Sequence, residues 1–322
     1  MEAVTGAIDM KLITVLRTVG AALALAIAQY SVAPALAETL YVEGEGGVPL
    51  AVTIAGPEDG PEILFVHGLG MGSASFSPQL ESSLSDRFRM VAFDLRGHGM
   101  SGKPWQAEAY ADPAIWAADL AKVIHATKLK KPVIVGWSYG SLVAADYLRE
   151  YGHENISGLV MVGALGGFIP FTPPAEGPDP ELLAQLMQLQ ELRKSTSFED
   201  QRAAVEIFLT MLTEGEATPE WIDEARMLGM MVPAYAQAAL RKHPSDNSDL
   251  APLLGKIPTL ILHGSEDPSV SPAALEAFSA VAPTVKSHAF EGAGHSPFAE
   301  QASIFNDELA RFVIANWSDN PE

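Results

Sequence analysis

The chain has 322 residues, 48% of them hydrophobic, no cysteine, and 40 acidic against 20 basic side chains, giving a formal charge of −20. That length suits one large α/β domain with an insertion or two modest domains, with enough apolar content for a sizeable core. The acidity argues against nucleic acid as a partner, since phosphate binding needs clustered Lys and Arg, and the missing cysteine removes disulfide staples, a thiol nucleophile and thiolate metal ligands.

The N-terminus reads as an export signal. Lys11 and Arg17 supply positive charge, residues 19–28 (VGAALALAIA) are apolar, and Ala35-Leu36-Ala37 is a small-x-small site before Glu38. Residues 1–37 are therefore expected to be a signal peptide cleaved after Ala37, giving a periplasmic or secreted protein with no stable membrane insertion. Glu2 and Asp9 are unusual in such a segment, and Met10 would begin a more typical one, so both starts stay open. An uncleaved anchor is disfavoured because the apolar run is shorter than the roughly 20 residues a spanning helix needs.

From Leu40 onward, short apolar runs alternate with amphipathic stretches, the pattern of a mostly parallel sheet with crossover helices. Strands are expected at residues 40–43, 49–54, 62–66, 89–93, 132–135, 158–162, 259–262 and 285–290. The runs ILFV, VIVG and LVMVG are apolar without alternation, as buried parallel strands are. Helices are expected at 113–127, opened by Asp112 and Pro113, at 139–151, and at 303–317. Between Gly166 and Lys256 the alternation stops. A proline-rich entry leads into helix-like stretches at about 180–194, 197–212, 219–230 and 233–242, with no strand among them. Five methionines, 187, 211, 227, 230 and 231, gather there, and Met adapts to irregular apolar surfaces. The expected domains are a core of residues 38–165 and 256–322, and an all-helical insertion of residues 166–255.

Gly136-Trp137-Ser138-Tyr139-Gly140 places Gly-x-Ser-x-Gly where a buried strand meets a helix. A serine on such a tight turn is held in strained geometry with its hydroxyl exposed, and side chains at the two glycines would collide with the turn. A serine hydroxyl needs a base to take its proton, and the base needs an orienting acid. His295 lies in EGAGHSPF, between the last strand and the last helix. Asp267 lies in HGSEDPSV, just beyond the strand at 259–262, with Glu266 as the neighbouring alternative. The order Ser, Asp, His is that of nucleophile-elbow hydrolases. His67, His98 and His263 each precede a glycine and read as loop-bonding residues, and histidines 125, 153, 243 and 288 read as surface or internally satisfied ones. For the oxyanion, the backbone N–H groups of Tyr139, after the nucleophile, and Leu69, in the loop HGLGMG, are the candidates.

With HGLG, DLRGHGMS (94–101), GWSYG, the Asp267 loop and GAGHSPF in this order, the chain resembles the α/β-hydrolase superfamily, and looks like its lid-bearing esterase, lactonase and haloperoxidase-like branch. The resemblance spans about residues 40–165 and 256–315. It implies an eight-stranded core with a helical cap over the site, and makes Asp94–Ser101 a structural turn rather than catalytic.

The expected activity is hydrolysis of a carboxylic ester or lactone, with Ser138 as nucleophile, His295 as base and Asp267 as the acid, needing no cofactor or metal. A small-molecule, neutral and largely apolar substrate is favoured by the Met-containing insertion, with Trp137, Phe168, Met230 and Met231 as expected pocket lining. An aminopeptidase for small N-terminal residues or a carbon–carbon bond hydrolase would share the triad; the former would need carboxylates facing the site. Two remoter readings are a non-catalytic binding protein on the same fold and a dinucleotide-binding dehydrogenase. The latter is weakened by Ser73 in place of the third glycine of GLGMGS. Oligomeric state is not legible.

Overall fold

A computed structural model describes residues 38–170 and 179–317; the expected signal segment lies outside them. The strands are β1 (Glu38–Glu43), β2 (Pro49–Ala55), β3 (Glu62–Val66), β4 (Arg89–Phe93), β5 (Val133–Trp137), β6 (Gly158–Val162), β7 (Thr259–Gly264) and β8 (Lys286–Phe290). They form one sheet in the order β1-β2-β4-β3-β5-β6-β7-β8. The pairs β1–β2 and β2–β4 are antiparallel and all others parallel. Every residue of β5, β6 and β7 is buried, whereas the edge strand β8 exposes most of its length. The continuous apolar runs therefore mark the centre of the sheet, because helices cover both of its faces.

The longer helices are α1 (Pro113–Ala126), α2 (Tyr139–Tyr151), α3 (Pro180–Leu192), α4 (Phe198–Thr210), α5 (Pro219–Met230), α6 (Ala234–Leu240), α7 (Pro272–Val281) and α8 (Ala302–Asn316). Asp112 caps α1 by accepting the Ala114 N–H, with Pro113 at the first helical position. Helix α7 was not expected from periodicity, because its face is broken by alanines. Ser271, accepting the Ala274 N–H, and Pro272 are its local start signals. Helices α3–α6 form the insertion between β6 and β7, and no strand occurs among its described residues. Two apolar clusters flank the sheet: one gathers α1 and α2 residues such as Trp116, Leu120, Val143 and Leu148, the other Phe76, Trp137, Phe298, Phe305 and Leu309.

A buried ion pair locks the turn after β4. Arg96 donates through Nε and one Nη to the two carboxylate oxygens of Asp119 on α1, both at 2.7 Å, and their side chains are 2% and 1% exposed. The remaining guanidinium donors reach the carbonyls of Ala109 and Glu45, and Asp119 also accepts the Glu45 N–H. Planar two-point pairing with the remaining donors satisfied is the condition under which a buried pair is tolerated. Asp119→Ala would leave Arg96 charged and buried. It should lower unfolding stability by about 3–5 kcal/mol, read from urea denaturation midpoints against the wild-type chain.

Candidate active site

Strand β5 ends at Trp137 and α2 begins at Tyr139, so the whole reversal falls on Ser138, with φ 53° and ψ −116°. Non-glycine residues avoid this region, and holding one there costs about 1–3 kcal/mol. Packing enforces it. A Cβ on Gly136 would lie 2.7 Å from the Gly140 carbonyl oxygen, and one on Gly140 would overlap the Val66 carbonyl oxygen. Ser138 N–H donates to Val162 O at 2.9 Å, and Ser141 Oγ–H donates to Gly136 O at 2.7 Å, so both sides of the turn are held.

The loops after β7 and β8 meet next to this turn. Asp267, 3% exposed, brings Oδ2 to 2.9 Å from His295 Nδ1, while its Oδ1 accepts the Ser269 N–H. Glu266 points to solvent and accepts from Ser265 Oγ, so the geometry selects Asp267 over its neighbour. A carboxylate at Nδ1 makes that nitrogen the donor and leaves Nε2 as the acceptor of a neutral ring. Trp137 Nε1–H donates to the His295 carbonyl at 2.9 Å, which ties the His295 loop to the residue before Ser138.

The loop after β3 closes the other side. A Cβ on Gly68 would lie 3.2 Å from Ser138 Cβ, which places the Leu69 peptide beside the serine. The Tyr139 N–H is the first of α2, and the first N–H groups of a helix have no intrahelical acceptor. His67 Nε2 accepts the Leu95 N–H and its Nδ1–H donates to Gly68 O, which fixes the neutral tautomer. Burial holds its pKa below the usual histidine value, with the Asp94 charge opposing. Asp94 accepts from Ser73 N–H and Oγ–H with one oxygen and from Met100 N–H with the other, locking the DLRGHGMS turn to this loop. His98 and His263 bond to the carbonyls of Arg96 and Gly264, so the three glycine-preceding histidines are scaffold residues.

Trp137 and Phe168 are fully buried, Trp137 packed against Phe76 and Phe298 and Phe168 within the core. The cleft beside the Leu69 loop is narrow and is lined by Leu69, Gly70, Arg193, Ala204, Val205, Phe208, Gly229, Val232, Gln237 and Arg241. Met230 and Met231 flank this lining without joining it, because α5 turns Gly229 toward the cleft and Val232 follows the helix end. Among the described residues no cluster of His, Asp and Glu has the arrangement of a metal site, and no helix is long and apolar enough to cross a membrane.

Glu300 carries no motif that singles it out, and the structure gives it a central place. Its carboxylate accepts the N–H groups of Gly294 and Ser296, on either side of His295, and those of Glu214 and Gly215, between α4 and α5. One carboxylate thus fastens the His295 loop to the insertion.

A family model described as alpha/beta hydrolase fold matches residues 61–302. The chain is 26% identical over 281 residues to the AB hydrolase superfamily protein YisY of Bacillus subtilis, covering 84% of this chain and 98% of the relative. It is 27% identical to a non-heme chloroperoxidase of Streptomyces lividans, covering 80% of this chain and 93% of the relative. The crystal structure of a putative aryl esterase from Burkholderia cenocepacia superposes with a TM-score of 0.76 at 30% identity, covering 87% of this chain and 99% of that one.

Glu300→Ala frees both sides of the His295 loop. It should lower kcat on a soluble ester about tenfold or more while KM changes less, since a misoriented base costs the chemical step more than binding. Glu300→Gln, which keeps one acceptor, should recover part of that loss; equal kcat in all three proteins would remove Glu300 from this role.

Proposed function

The chain belongs to the α/β-hydrolase fold family, and from that premise we propose that it cleaves a carboxylic ester or lactone through an acyl-enzyme on Ser138. The observation that carries this reading is the Asp267–His295 hydrogen bond at 2.9 Å beside a serine held in the strained elbow geometry. Ser138 Oγ attacks the substrate carbonyl carbon as His295 Nε2 takes its proton, and Asp267 stabilises the imidazolium through Nδ1. The Leu69 and Tyr139 N–H groups receive the negative charge on the carbonyl oxygen. When the tetrahedral adduct collapses, the alkoxide leaves with the proton from His295. Water then attacks the acyl-enzyme, giving its proton to His295, and the second collapse releases the acid and restores Ser138 Oγ–H.

Helices α3–α6 act in this proposal as a cap that shapes the substrate's environment. Ala204, Val205, Phe208 and Val232 give the cleft apolar walls, which suits an apolar acyl chain of small to medium size. The aminopeptidase alternative needs a carboxylate to hold a substrate amine. The described lining of this cleft holds none, and carries two arginines instead. The likeness to an aryl esterase favours the ester over the carbon–carbon bond.

Ser138→Ala should keep the fold and lower kcat on 4-nitrophenyl hexanoate by about 10⁴-fold or more. A fluorophosphonate should label the wild-type chain at Ser138 and leave the variant unmodified; folded wild-type protein that resists labelling would count against the assignment. We also read residues 1–37 as an export signal, from the basic residues, apolar run and Ala35-Leu36-Ala37 site. N-terminal sequencing of protein recovered from the periplasm or medium should begin at Glu38, and a sequence beginning at Met1 or Met10 would overturn cleavage.

A further inference from the structure

The cleft beside the oxyanion loop holds cations where an acidic protein would be expected to place their partners. Acidic side chains outnumber basic ones two to one in the chain, and elsewhere in the insertion Arg226 is paired with Glu206 and Asp223, and Lys194 with Glu191. Arg193 and Arg241 line the cleft together, and among the described residues neither side chain has a carboxylate partner. Burial, reinforced by the Arg241 charge, pulls the Arg193 guanidinium down to about 10. Arg193 is therefore partly desolvated and is repelled by the more exposed Arg241.

Arg193 stacks over Phe208 with its central carbon 5.0 Å from the ring centroid. Stacking uses the face of the guanidinium and leaves its edge N–H groups, the ones that fork onto a carboxylate, available. Gln237, on the same wall, donates to Val232 O and Gln201 Oε1, while its own Oε1 is buried with no donor. A partly buried guanidinium with no carboxylate partner, such as that of Arg193, is costly and is relieved by an occupant that accepts from it. The cations set the sign of that occupant.

The lining that holds the two arginines also holds Leu69, whose peptide adjoins Ser138, and the apolar side chains of Ala204, Val205, Phe208 and Val232. We infer that this cleft binds the acyl chain of an ester whose far end is a carboxylate, so that the preferred substrate is the monoester of a short dicarboxylic acid, its free carboxylate held by Arg193 and Arg241. The inference rests on the reading of Ser138 as the acylated nucleophile and replaces the expectation of a fully neutral substrate. The apolar middle of the cleft keeps its part, covering the methylenes between the two carbonyl carbons.

The test compares 4-nitrophenyl hydrogen adipate with 4-nitrophenyl hexanoate, acyl groups of equal length that differ in the terminal charge. The wild-type chain should favour the adipate monoester in kcat/KM by about tenfold or more, the scale of one charge-assisted pair. Added salt should shrink that preference. Arg193→Met, which keeps the apolar stem over Phe208, and Arg241→Met should each lower the adipate-to-hexanoate ratio, and Arg193→Lys should restore part of it. A wild-type ratio at or below one, or a ratio unmoved by either methionine variant, overturns the inference. Calorimetry of the adipate dianion against the Ser138→Ala chain reads the anion site without chemistry, and there binding that weakens with Arg193→Met supports it and no binding overturns it. Hexanoate turnover and fluorophosphonate labelling that persist without an adipate preference would leave the serine hydrolase intact and remove only the anionic substrate. Loss of labelling with adipate still bound would do the reverse.

Discussion

Ser138 has to be bent into φ 53° and ψ −116° between a buried strand and a helix, and much of the surrounding structure follows from holding it there. The strain is local, about 1–3 kcal/mol, but it cannot relax. Val66 of β3 and the Gly140 carbonyl leave no room at Gly140 or Gly136 for anything larger than hydrogen. The neighbouring strands are drawn into the same constraint: β6 accepts the Ser138 N–H through Val162, and β3 delivers Gly68 against the serine. A nucleophile on an ordinary loop would need its own immobilisation. Here the central sheet supplies it, because β5, which leads into the serine, and its neighbour β6 are buried at every residue.

The groups around the serine are positioned through backbone contacts to a handful of buried polar side chains. Asp94 fixes the turn after β4 to the loop after β3, His67 orients Gly68, Trp137 holds the His295 carbonyl, and Glu300 gathers the N–H groups flanking His295. Asp94, His67 and Glu300 are each bonded on more than one side, and such networks are rigid because an unpaired member would be expensive in the interior. Glu300 also reaches Glu214 and Gly215, so the insertion and the His295 loop share an anchor. The His295 loop and the segment between α4 and α5 are thereby part of one hydrogen-bonded unit.

Charge divides the molecule in an unusual way. The chain as a whole is strongly acidic, and that surface repels anions at long range, although salt screens the effect within about a Debye length. At one cleft of the insertion the sign reverses, with Arg193 and Arg241 in a lining that holds no described carboxylate. An anionic substrate entering that cleft leaves an unfavourable field for a compensating one. The acidic exterior then sets how fast such a molecule arrives, and the cleft sets how well it is held.

The residues by themselves determined the parts that depend on local geometry. Gly136 and Gly140 around Ser138 require a tight strand-to-helix turn. The apolar runs of β3, β5 and β6 require burial on both faces, and Asp112-Pro113 starts α1 where it was expected. The chain order of Ser138, Asp267 and His295, and the loop positions of the last two after β7 and β8, are features of the residues alone. What tertiary structure decided is everything that depends on side chains distant in sequence. The choice of Asp267 over Glu266 came from which carboxylate the β7 loop turns inward, and Glu300 came from a convergence of two loops. The burial of Trp137 and Phe168 in the core also came from packing. The sign of the cleft came from Arg193 and Arg241, which lie on different parts of the insertion. Helical periodicity predicts which face of a helix is apolar, but not which two helix ends will meet across a cleft, because that is set by packing between elements that share no local signal.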